Sequence, residues 1–147
     1  MSFKPIRTFL TDRLKEIDSD FTPFENGFDS GQIGSDNFDK RFHIFYGNVT
    51  TTASNQNTTT DSVAASVTLY FSGSRNSMDE LDEAMDIANA YRINCLRRIK
   101  YANQTFIKNV VSQNIEALPL ESNDNAIQIK LTFNVSVIFG TGLDLNC

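Results

Sequence analysis

From 127 to 139 the chain alternates with few faults. Ile127, Ile129, Leu131, Phe133, Val135, Val137 and Phe139 fall on one parity, and Gln128, Lys130, Thr132, Asn134 and Ser136 on the other. Successive side chains of an extended chain point to opposite faces, so this pattern predicts a strand with one dry face, ended by Gly140-Thr141-Gly142. Residues 62–72 repeat it, with Val63, Ala65, Val67, Leu69 and Phe71 against Ala64, Ser66, Thr68 and Tyr70. Residues 41–51 predict a third strand, with Phe42, Ile44 and Tyr46 on one side and His43 and Phe45 on the other. A weaker pattern over 106–120 predicts a fourth, with Ile107, Val111 and Ile115 inward and Pro119 blunting its end.

Two stretches change period. Over 76–101, Met78, Leu81, Ala84, Met85, Ala88, Tyr91, Cys95, Leu96 and Ile99 recur at three- and four-residue steps, the signature of an amphipathic helix. Ser77 followed by Glu80 has capping-box spacing. The acids Asp79, Glu80, Asp82, Glu83 and Asp86 come first and Arg92, Arg97, Arg98 and Lys100 last, each sign at the end of the helix dipole that favours it. Over 1–20 a shorter helix opens at Pro5, buries Ile6, Phe9, Leu10, Leu14 and Ile17, and ends near Ser19 ahead of Thr22-Pro23.

Between these elements lie two irregular stretches. Residues 21–40 hold Gly27, Gly31 and Gly34 together with Phe21, Phe24, Phe28, Ile33 and Phe38. So many aromatics argue against a solvated linker, and fit either a flap over the domain's own core or anchors for another subunit. Residues 50–61, with nothing apolar larger than alanine, predict the mobile tip of a long hairpin. Ser122 to Asn125 has hairpin-turn chemistry, and 141–147 forms a tail. The fold class is therefore α+β: helix, two strands, helix, two strands, a mostly antiparallel or mixed four-stranded sheet packed on two helices in a single domain.

Length and charge narrow the function. At 147 residues there is enough chain for one full core. A net charge of −5 argues against nucleic acid as a tightly held partner. The N-terminus lacks an apolar signal region, and no stretch is long and apolar enough to span a bilayer. Two cysteines, Cys95 on the helix stripe and the terminal Cys147, make no disulfide framework.

Candidate chemistry is sparse. The single histidine, His43, sits in a strand among aromatics with no nucleophile motif beside it. No His or Cys cluster has metal-ligand spacing, so no metal or cofactor is expected. Gly31-Gln32-Ile33-Gly34 does not open a helix and is not a phosphate loop. The surface acids of the two helices are explained by capping and solvation. The expectation is a protein without catalytic residues.

What stands out is the second parity of the two best strands. Ala64, Ser66, Thr68, Tyr70, Thr132, Asn134 and Ser136 are mostly small and carry no charge, whereas a sheet face left in water normally uses charge against sticking. Either this face meets another protein surface or a narrow wet channel in an assembly, or the N-terminal helix covers it. Partner-contacting positions are expected in the irregular stretches, at Phe24, Phe28, Ile33, Phe38, Thr51, Asn55, Asn57 and Thr59.

Taken together, the N-terminal amphipathic helix, the hairpin extended through 50–61 and the alternating strand 62–72 resemble the tail terminator (tail completion, minor tail protein U-like) family of long-tailed bacteriophages. The acid-first helix from Ser77, the Leu118-Pro119 strand end and the closing strand IQIKLTFNVSVIFG add to the likeness. The resemblance implies a virion structural protein, made in the host cytoplasm, that forms a hexameric ring at the neck. Such a ring caps the tail tube, stops its polymerisation and offers a surface to the head connector, while DNA passes through without tight binding. Other neck or head–tail joining proteins and tail-tube subunits are near alternatives. A small soluble α+β ligand-binding domain or enzyme is the rival from another class.

Overall fold

The computed structural model describes residues 3–23, 39–54, 58–73, 77–97, 107–118 and 126–140. Among them the chain forms α1 (Lys4–Ile17), β1 (Thr22–Pro23), β2 (Arg41–Ser54), β3 (Thr58–Ser72), α2 (Met78–Leu96), β4 (Ile107–Leu118) and β5 (Ala126–Gly140). The strands make one mixed sheet in the order β1-β2-β3-β5-β4. Two antiparallel hairpins, β2–β3 and β4–β5, are joined through their long members β3 and β5. The α+β expectation holds. The addition is β1, too short for any periodicity to announce, which pairs parallel with β2 at Arg41 and Phe42.

The two alternating strands lie side by side at the centre, and their registers put the apolar parities on one face: Val63 opposite Val135, Ala65 opposite Phe133, Val67 opposite Leu131. All six of these, with Leu69, Ile129 and Val137, are fully buried. Each large side chain so buried contributes about 1.5–3 kcal/mol. Both helices pack on this face. Ile6, Phe9, Leu10 and Leu14 of α1 and Ala84, Ala88, Tyr91 and Cys95 of α2 belong to the same core cluster as the strands. The Tyr46 hydroxyl, on the helix side of β2, donates to the Phe3 carbonyl over 2.9 Å. The N-terminal helix therefore does not cover the other face of the sheet.

Several boundaries differ from the sequence reading. The span 50–61 is strand rather than mobile tip: β2 runs to Ser54 and β3 starts at Thr58, leaving only 55–57 outside the described residues. Threonine suits a pleated strand, and Thr59–Ser62 is ladder-bonded between β2 and β5. In β4 it is Val110, not Val111, that turns inward, and Val111 is 47% exposed. An irregularity between Ile107 and Asn109 shifts the parity there.

Helix α2 also departs in detail. Ser77 caps it as expected, accepting from the Glu80 N–H at 3.4 Å. Its end comes at Leu96, so Arg97 is a cap and the basic last turn is absent. Arg98, Ile99 and Lys100 lie outside the described residues. Met78 is 67% exposed, whereas Asn94 is buried. The helix is turned toward α1, where the Asn94 amide donates to the Arg13 carbonyl and to Glu16 Oε2, each at 2.9 Å. In α1, which ends two residues early, Ile17 is exposed rather than buried.

Candidate functional site

The open face of the sheet is built by the second parity of β2, β3, β5 and β4. Across the middle run Ala64 opposite Asn134, Ser66 opposite Thr132 and Ser62 opposite Ser136. Toward β2, Thr68 pairs with His43, Ser66 with Phe45 and Tyr70 with Arg41. Toward β4, Asn134 lies opposite Val111, Thr132 opposite Asn114 and Lys130 opposite Glu116. The seven sequence-chosen residues thus share one face and are contiguous. Both helices contribute to the core on the opposite face.

Their exposure is graded. Ala64, Ser66, Thr132, Asn134 and Ser136 are half-buried, while Thr68 and Tyr70 are only 3% and 2% exposed. Burial pushes the Tyr70 phenol up to about 12, so it stays a neutral hydrogen-bonding group at any physiological pH. The Thr68–Tyr70 end of the face is therefore closed, and the part near Ala64 and Asn134 is what a partner can reach.

Two aromatic positions that the sequence reading left out join this face. Phe45 is 49% exposed, and the His43 ring lies against it with centroids 4.0 Å apart. Val111, also half exposed, closes the far side. Their alternation was legible, but nothing in it distinguished an exposed Phe from a covered one. Burial, then the Arg7 charge, pulls the His43 pKa below the usual histidine value, and its Nδ1 is buried without a hydrogen-bond partner. His43 is a half-buried strand histidine held neutral.

Beyond the core, β2 and β3 continue as an outlying hairpin arm. On β2 every residue from Gly47 to Ser54 is exposed. Thr51 stands opposite Asp61, and the Thr59 hydroxyl, half-buried, is 3.3 Å from Asp61 Oδ2. Asp61 is 7% exposed and its Oδ1 has no partner. It occupies the same row as Val63, between Thr51 and Val137. The other expected contact positions, Phe24, Phe28, Ile33, Phe38, Asn55 and Asn57, lie outside the described residues.

Among the described residues, groups that could do covalent or metal chemistry are not brought together on this face. Among the described residues no group of three or more His, Cys, Asp or Glu side chains could hold a metal ion. Cys95 is fully buried in the core, where desolvation raises its thiol to about 12, too protonated to act as a nucleophile near neutrality. Among the described residues no helix is long and apolar enough to cross a membrane. No protein-family model matches the chain, and no curated protein does.

Proposed function

We propose that this chain is a structural protein of a long-tailed phage virion: a tail terminator whose copies close into a ring at the neck. The ring caps the tail tube, stops its growth and presents a docking surface to the head connector. The observation that carries this reading is the open sheet face. Both helices sit on one side, and the other side offers neutral, half-buried Ala64, Ser66, Thr132, Asn134 and Ser136, flanked by exposed Phe45 and Val111. A face of this kind is suited to burial against a neighbour.

Two further features support it. The exposed arm from Gly47 to Ser54 projects a strand edge that can lie against a tube subunit. The net charge of −5 suits a conduit past which DNA slides without being held. A tube subunit would share much of this but would polymerise into long tubes. Negative-stain images of the purified protein mixed with tail tubes test the assignment. Annuli seated at one end of each tube are expected; tubes lengthened by the protein, or ends left bare, reject it.

A further inference from the structure

The outer edge of β2 carries a second surface, distinct from the open face. Strand β1 covers that edge only at Arg41 and Phe42, and among the described residues no strand pairs with it from His43 onward. Beside the uncovered edge runs α1. Phe3, at the helix start, packs on Tyr46 with ring centroids 5.4 Å apart, and Lys15, near its end, shares a groove with Phe42. Helix and strand are thus antiparallel and enclose a groove of about 460 Å³.

The groove is basic on one wall and apolar on its floor. Arg7, Thr11 and Lys15 form the helix wall, Phe42 and Ile44 the floor, and Pro23 closes one end. His43, between Phe42 and Ile44 on β2, lines it too. Arg7 is held by the Tyr46 ring, its guanidinium carbon 5.9 Å from the centroid. The same guanidinium also hydrogen-bonds the Tyr46 hydroxyl, and its remaining N–H donors can bind a carboxylate. Among the described residues no acid lines the groove, and Asp18 and Asp20, ahead of β1, lie 2.6 and 3.8 Å from Lys40.

Spacing says what would fit. Arg7 and Lys15 are eight residues apart on a helix, about 12 Å along its axis. In an extended strand, residues four apart share a face and lie roughly 13 Å apart. We infer that this groove receives an extended segment of a partner protein that adds to the β2 edge beyond β1 and sets two carboxylates, four residues apart, against Arg7 and Lys15. Main-chain pairing to the edge supplies affinity, and the two cations supply selectivity for acid. The groove belongs to a single chain, so the inference stands or falls apart from any ring.

The test is fluorescence anisotropy with a blocked Val/Thr peptide about nine residues long carrying glutamates four positions apart. Two control peptides carry lysines at the same positions or glutamates three apart, on opposite faces. The glutamate peptide is expected to bind the wild-type protein, and the controls about tenfold or more weakly. Arg7→Glu/Lys15→Glu, both at exposed positions, should reverse the preference toward the lysine peptide. Lys15→Glu alone, checked for an unchanged circular dichroism melt, should weaken the glutamate peptide. Equal binding of the three peptides, no binding at millimolar concentration, or a charge-reversed protein that still prefers glutamate overturns the inference.

Discussion

The Tyr91 hydroxyl donates to the Leu10 carbonyl across 2.9 Å of fully buried core, fixing α2 to α1 at one point. The ring also meets Phe133 edge-on, with centroids 6.0 Å apart, so a single side chain ties both helices to β5. Removing only the oxygen tests the polar tie. Tyr91→Phe keeps the ring contact and should cost about 0.5–1.5 kcal/mol in urea unfolding. A variant as stable as wild type would mean that the bond adds nothing beyond packing.

Asp61 makes the opposite case. A carboxylate at 7% exposure with an unpartnered oxygen is a destabilising element in the Val63 row. Asp61→Asn removes the charge and keeps a group that the Thr59 hydroxyl can bond. Stability should rise by about 1–3 kcal/mol, read as a higher urea midpoint with unchanged slope. A lower midpoint would contradict the burial of that carboxylate.

His43 gives the protein a pH dependence whose sign is fixed. Its folded pKa lies below the unfolded value of 6.5, so the native state binds fewer protons than the unfolded chain. Its contribution is present above 6.5 and is lost as pH falls through the folded pKa. Wild type should lose stability over that window, and His43→Gln should lose less. Because the Arg7 charge also lowers the His43 pKa, Arg7→Gln should move the histidine midpoint upward, followed by NMR. A midpoint unmoved by Arg7→Gln would separate the two residues.

The open face yields an assembly prediction. Thr68 is too deeply buried to accept a charge without damage, so the informative positions are Ser66 and Asn134, both half-buried. Ser66→Lys/Asn134→Lys should fold, with a circular dichroism spectrum like that of wild type, yet fail to assemble. Like charges set into an interface cost several kcal/mol. Normal assembly of this variant would show that copies do not meet through this face.

Much of this arrangement was legible because period-two alternation in 62–72 and 127–139 fixed both strands and their dry faces at once. The same alternation picked out Ala64, Ser66, Thr132 and Asn134 as a shared surface. Where the structure departs from the sequence pattern, tertiary contacts decide. Asn94 is buried because α2 leans on α1. The Thr-rich span 50–61 holds nothing apolar larger than alanine, yet Thr50–Ser54 belongs to β2 and Thr58–Asp61 is laddered to β5, which reaches Gly140. The shift from Val111 to Val110 follows a strand irregularity that composition does not encode. The groove at Arg7 and Lys15 was illegible, since it depends on α1 lying along an edge that β1 leaves open.

Native mass spectrometry of the purified protein tests the proposed ring most directly. One closed assembly of six 16.5 kDa chains, unchanged on raising the concentration, is the expected result. A mass of a single chain at high concentration, or an open-ended ladder of oligomers, would contradict it.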